Sequence, residues 1–100
     1  MKYIKTYENK SIIKKYIIVQ ELSDYLELYE ILNIFSTTKK SVEVNIKLIK
    51  YYFNDEFKTP KYNISSTKLI NFKKILYISD NLEDTENMLH TIYNSKKYNL

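Results

Sequence analysis

Glycine, alanine, arginine, tryptophan and cysteine are missing from this 100-residue chain, and proline occurs once, as Pro60. Each absence excludes something. Without cysteine there are no disulfides and no thiolate metal sites, a usage that fits a cytoplasmic protein. Without glycine there is no phosphate-cradling P-loop, no dinucleotide fingerprint and no nucleophile elbow. Without arginine the planar fork that grips phosphate or guanine is gone, and lysine remains as a point charge. Apolar runs are only a few residues long, too short to span a bilayer as a helix. The opening Met1-Lys2-Tyr3 leads into polar residues, with no apolar stretch of the kind a signal peptide carries.

Lys, Ile, Asn and Tyr crowd the chain instead. Their codons are A/T-rich, whereas those for Gly, Ala, Pro and most of Arg are G/C-rich, so the bias reads first as genome composition. That discounts two tempting signals, the net charge of +4 and the eleven tyrosines. An apolar fraction of 44% with 28% charged residues places the chain among globular proteins. One hundred residues make a single domain, 1–100, with one modest core.

Residues 1–11 read as a loosely docked arm. Tyr16-Ile17-Ile18-Val19, within Ile12 to Glu21, is β-branched and aromatic and predicts a first strand, closed by a turn at Ser23-Asp24. Tyr25 to Ser36 reads as a strand with Leu26, Leu28, Leu32 and Ile34 on one face. A helical reading is the alternative, but its polar residues repeat every third position and drift around a helix. Ser41 to Phe53 is the clearest strand. Val42, Val44, Ile46 and Leu48 face one way, and a phase slip at Leu48-Ile49 then moves the apolar side to Ile49, Tyr51 and Phe53, as a β-bulge would. Asn54-Asp55-Glu56 is a turn, Pro60 marks a loop or strand edge, and Tyr62 to Ile64 reads as a short edge strand. Ser65-Ser66-Thr67 either caps a short helix using Leu69, Phe72 and Leu76 or leads directly into a last strand around Ile75–Ile78.

The C-terminal stretch is amphipathic. Leu82, Thr85, Leu89, Ile92 and Tyr93 share one helical face, predicting a helix over residues 80–95 that covers the sheet. Asp80 is its expected N-cap, Glu83, Asp84 and Glu86 suit the positive end of the helix dipole, and Lys96 and Lys97 suit the other end. The resulting fold class is α+β: a curved antiparallel sheet of four to five strands, partly closed, with a C-terminal helix packed on it. The expected core is Ile17, Val19, Leu26, Leu28, Val42, Val44, Ile46, Leu48, Leu76, Ile78, Leu82, Leu89 and Ile92.

Catalytic chemistry finds little to stand on. His90 is the only histidine, and Glu86 lies one helical turn from it, a spacing that can share a divalent metal. An acidic first turn followed by a solvated histidine accounts for the pair without a metal and is the preferred reading. The reading is therefore of no catalytic residue, no metal and no cofactor. Binding has more support. Lys47, Lys50, Tyr51 and Tyr52 interleave cations with aromatics on one strand, the pattern that tracks phosphates and stacks bases. Lys73 and Lys74 extend it, and Lys14-Lys15, Lys39-Lys40 and Lys96-Lys97 add paired charge. Tyrosine is also the residue of protein interfaces, and this chain carries more of it than a small core can bury with hydroxyls satisfied.

The segments M-K-Y-I-K-T-Y-E-N at 1–9 and S-D-N-L-E-D-T-E-N-M-L-H-T-I-Y-N-S-K-K-Y-N-L at 79–100 resemble small accessory proteins of tailed phages and large viruses with A/T-rich genomes. The resemblance implies a protein acting in the cytoplasm of an infected host, of a class that includes inhibitors of host defence such as anti-CRISPR proteins. The functional expectation is a non-catalytic protein that binds and inhibits a host defence protein, in the first instance a CRISPR effector nuclease or its guide-RNA complex. The alternative is a small basic nucleic-acid-binding protein that contacts phosphates through Lys and bases through Tyr. No membrane partner is expected.

Overall fold

A computed structural model describes residues 15–22, 25–53, 56–62 and 65–98, with side chains through 95. The arm at 1–11, the turn at Ser23-Asp24, Asn54 and Asp55 of the next turn, and the side chains of Lys96 and Lys97 lie outside the described residues. The elements are β1 (Tyr16–Leu22), β2 (Tyr25–Thr37), β3 (Ser41–Phe53), β4 (Glu56–Lys58), β5 (Ser65–Asn71), a 3-10 turn (Phe72–Lys74), β6 (Ile75–Ser79) and α1 (Leu82–Tyr98). Five full strands and the three-residue β4 form one antiparallel sheet. β1, β2 and β3 are a meander, and β6 pairs with β1. β5 pairs with the first half of β3 and β4 with its second half. The sheet curls into a half-barrel with α1 across its outer side, so the expected α+β class holds.

Curvature comes from five one-residue register shifts, which leave Leu32, Phe35, Ile49, Glu21 and Leu76 as extra residues. The slip expected at Leu48-Ile49 is one of them: Leu28 pairs with Lys50 and Tyr29 with Leu48, leaving Ile49 over. A bulge bends its strand and increases its twist. Ile49 and Leu76 pack on the helix side of the sheet, and Leu32 and Phe35 stand exposed. Four of the five insertions thus lengthen the outer surface, and the sheet wraps around its inner one.

That wrapping buries both faces. The inner cluster contains Ile17, Val19, Tyr29, Val42, Val44, Ile46, Ile70, Phe72 and Ile75. The outer cluster contains Ile18, Leu26, Leu28, Tyr52 and Leu76 beneath Leu89 and Ile92 of α1. The expected core is present, with Leu48, Ile78 and Leu82 half-buried. Ile18, Tyr29, Tyr52 and Ile75 are added because an amphipathic strand reading assigns one buried face and here there are two, while Ile70 and Phe72 are added because β5 and the turn after it close the inner cluster. Thr85 is fully buried against the sheet, its hydroxyl satisfied by donating to the Asn81 carbonyl at 2.7 Å.

Five local expectations are corrected. The helix is capped by Asn81, whose side chain accepts the Asp84 N–H at 2.9 Å, while Asp80 accepts the Lys15 N–H at 3.2 Å and ties β1 to the β6–α1 junction. Ser65-Ser66-Thr67 opens β5 rather than a helix, and the only helical turn there is Phe72–Lys74, capped by the Asn71 side chain. Tyr62 lies in an exposed bend, so the edge strand read over Tyr62 to Ile64 is displaced to β5; Asn63 and Ile64 lie outside the described residues. After the bulge, Tyr52 joins Ile49 on the helix side, and Tyr51 and Phe53 face the other way with Tyr25. Leu32 shares the outer face with Leu28 but lies beyond the half that α1 covers, whereas Ile34, expected on that same face, packs on the inner cluster because the bulge at Leu32 reverses the alternation.

Two substitutions test this arrangement. Asn81→Ala should cost about 1 kcal/mol of stability as a lost cap, with Asp80→Ala costing less, in urea unfolding followed by circular dichroism. Phe72→Ala, which empties the closed end of the inner cluster, should cost about 3–5 kcal/mol.

Candidate functional site

The six residues expected to form one basic, aromatic surface do not share one. Lys50 turns toward α1 and pairs with Glu86 at 2.9 Å. Tyr52 is 6% exposed and packs edge-on against Tyr93, with ring centroids 4.5 Å apart. Tyr51 is half-buried and stacks on Tyr25 at 6.0 Å. Lys47 sits on the outer face of β3, between Glu30 of β2 and Ser65 of β5. Lys73 and Lys74 are exposed on the 3-10 turn. Adjacent strand residues point to opposite faces, so Tyr51 and Tyr52 cannot share one, and α1 takes up Lys50 and Tyr52 on the outer side. Glu86 is occupied by Lys50, and His90 lies against Phe57 with ring centroids 4.3 Å apart. No cluster of three or more metal-ligating side chains forms among the described residues.

Three other surfaces carry the features of a site. The first is the mouth of the half-barrel, where β5 approaches β1 without ladder pairing between them. Lys68 of β5 reaches across to Glu21 at 3.1 Å, to Glu27 at 3.7 Å and to the Tyr29 hydroxyl at 3.2 Å. Lys74 joins Glu21 at 3.0 Å. An open pocket of about 340 Å³ lies here, lined by Glu21, Leu22, Tyr25, Glu27 and Lys68. Its electrostatics are those of a charge-balanced plug. Burial alone would push the Glu21 carboxyl up, but hydrogen bonds and charge from Lys74 and Lys68 outweigh it and hold the group below its usual range. Burial, and then the Glu27 carboxylate, push the Tyr29 phenol well above its usual range and raise the Tyr25 phenol. Sequence reading missed this cluster because Glu21, Glu27 and Lys68 meet only through the curl.

The second surface is the helix-free half of the outer face. Cross-strand rows Ser36–Glu43–Leu69 and Asn33–Asn45–Thr67 run over β2, β3 and β5. The bulges add Phe35 and Leu32 to them. Leu32, Phe35 and Leu69 are 47%, 52% and 66% exposed. The outer cluster under α1 draws only on the other half of the sheet. Tyrosine plays little part on this surface: apart from Tyr62, the described tyrosines are buried or half-buried.

The third surface is the end of the half-barrel where the β2–β3 connection meets the 3-10 turn. With no glycine available, the connection is held by Thr38, whose hydroxyl accepts the N–H groups of Lys40 and Ser41 at 3.2 and 3.0 Å. The Phe72 N–H then donates to the Lys40 carbonyl at 2.8 Å. Lys39-Lys40 and Lys73-Lys74, 33 positions apart in sequence, become neighbours. Among the described residues no helix is long and apolar enough to cross a membrane.

The seam at the mouth generates two predictions. Lys68→Met should cost about 2 kcal/mol by leaving Glu27 buried without its cation, and adding Glu27→Gln should recover much of that loss, read as a double-mutant cycle in urea. The pH dependence has two limbs. The lowered Glu21 carboxyl contributes stability that is present above the ordinary carboxylate range and is lost as pH falls through its folded value. The raised Tyr25 and Tyr29 phenols contribute stability that is lost as pH rises past about 10, where the unfolded phenols ionise. Glu21→Gln should flatten the acid limb, and Tyr29→Phe the alkaline limb, in thermal melts across pH.

No family model, no curated protein and no solved structure matches this chain.

Proposed function

We propose that the protein is a non-catalytic binding module that engages a protein partner through the helix-free outer face. The observation that carries this reading is the exposure of Leu32, Phe35 and Leu69 together on one regular sheet surface. A large apolar side chain in water forgoes about 1.5–3 kcal/mol that burial would return, and Phe35 is on this face only because a bulge reverses the alternation of β2. The face is a mosaic: apolar anchors stand among Asn33, Ser36, Glu43, Asn45 and Thr67. Anchors within a polar surround suit a partner that comes and goes, whereas the interface of an obligate dimer is more uniformly apolar. The titratable side chains the structure brings together, at the mouth and beneath α1, are engaged with one another.

The partner class is a host defence protein, such as an RNA-loaded effector nuclease, acting in a host cytoplasm. That finer reading rests on the resemblance of the chain ends. An inhibitor of this size works by occupying a surface, which requires a rigid scaffold and a few anchors rather than a reactive centre.

The test is capture of host-lysate protein on the tagged chain after nuclease treatment, beside the variant Leu32→Ser/Phe35→Ser/Leu69→Ser. The variant should melt within a few degrees of the parent, because all three residues are exposed. It should lose the captured partner, a drop of at least tenfold in affinity being expected from three interface anchors. Equal capture by parent and variant would remove this face from the reading, and retention only without nuclease would remove the protein partner.

A further inference from the structure

We infer that the end of the half-barrel carrying Lys39, Lys40, Lys73 and Lys74 is a second binding site, one that takes the phosphate backbone of nucleic acid without reading its sequence. The site lies apart from the apolar outer face and does not depend on it.

Four cations converge on two short turns. Lys39, Lys40 and Lys73 are exposed, and none of the three pairs with a carboxylate among the described residues. Lys74 is held by Glu21 at 3.0 Å, and the other nearby carboxylate, Glu43, is engaged by the Ser36 hydroxyl at 3.5 Å on the outer face. Like charges brought together in this way repel one another, and a polyanion relieves that repulsion as it binds.

The turns are also built rigidly. The Lys40 N–H donates to Thr38, the Lys73 N–H donates to the Asn71 side chain at 2.9 Å, and the Phe72 N–H ties one turn to the other. Phe72 itself is buried in the inner cluster, so the turn cannot move away without opening the core. Ordered backbones leave only the lysine side chains to be fixed on binding, which lowers the entropic cost of association.

The charge distribution orients the molecule. β6 begins beside Lys73 and Lys74 and ends beside Asp80, with Glu83 and Asp84 in the first turn of α1. A five-residue strand spans roughly 17 Å, so the basic and acidic ends face opposite directions. A polyanion is steered to one end and repelled from the other. Lysines without arginine provide point charges, so the site tracks phosphates and does not select bases.

The test is fluorescence anisotropy of labelled, mixed-sequence single-stranded DNA and RNA of about 20 nucleotides, titrated with the full chain from about 50 to 200 mM salt. Three contacts from the unpaired lysines predict a log–log salt slope of about −2 on single strands. Lys39→Ala/Lys40→Ala/Lys73→Ala should lower affinity about tenfold or more and flatten the slope. Lys58→Ala/Lys61→Ala, whose lysines lie toward the far end of β3, should change affinity less than twofold. Equal losses in the two variants would mean net charge alone is at work and would overturn the site, as would no binding at the lowest salt. Sedimentation of the free protein at low salt addresses the remaining occupant. If the triple variant abolishes self-association rather than nucleic-acid binding, the basic end meets the acidic end of a second copy, and the inference falls.

Discussion

Curling a sheet in a chain without glycine is the constraint on which everything else here depends. Tight bends usually exploit backbone conformations that glycine reaches at little cost. This chain bends by insertion instead, adding single residues to β1, β2, β3 and β6 so that its outer surface outgrows its inner one. Two buried layers follow from that mismatch. The inner layer is enclosed by the sheet itself, and the outer one is roofed by α1. The same insertions bring Phe35 to the outer surface and turn Lys50 toward the helix, so part of the surface chemistry is a by-product of curvature.

Closure is achieved differently from curvature. Where a full barrel would complete its ladder, Lys68 and Lys74 span the gap from β5 and the 3-10 turn to Glu21 and Glu27. Backbone pairing is insensitive to pH over the range in which carboxylates and phenols titrate. A side-chain seam is not, and its ionic pairs must also offset the cost of taking charge out of water. The half-barrel therefore has one edge fixed by hydrogen-bonded strands and one fixed by ionisation state.

The sequence made the architecture readable to the extent that periodicity carries it. The alternation from Val42 to Leu48, the slip at Ile49 and the helical face from Leu82 to Tyr93 each have a period, and each appears where expected. What had no period was lost. The second buried face of β1 was hidden: the sequence reading places Ile17 and Val19 in the core but not Ile18, because the three are apolar without alternation, which is how a strand buried on both sides looks. Leu32 and Phe35 were taken for ordinary strand positions because a bulge has no residue signature without glycine. The cap moved by one residue because Asp80 and Asn81 are both good caps and only the tie to Lys15 separates them. The functional surfaces were the least legible. Lys47 to Tyr52 looked continuous on a regular strand, and the approach of Lys40 to Phe72 is a tertiary fact with no local trace.

The meander also bears on how the chain reaches this state. β1 with β2, β2 with β3 and β3 with β4 are each joined through short connections, and the Thr38 turn holds the longest of these hairpins by side-chain hydrogen bonds. Such contacts form early because little loop entropy is lost in making them. Pairing of Tyr16 with Ser79 and of Val19 with Ile75 instead joins residues 63 and 56 positions apart. On that account the hairpins are a template that waits for its last strand and its helix. An elongating chain on the ribosome would carry the three-stranded meander, one face unroofed, until β6 and α1 emerged.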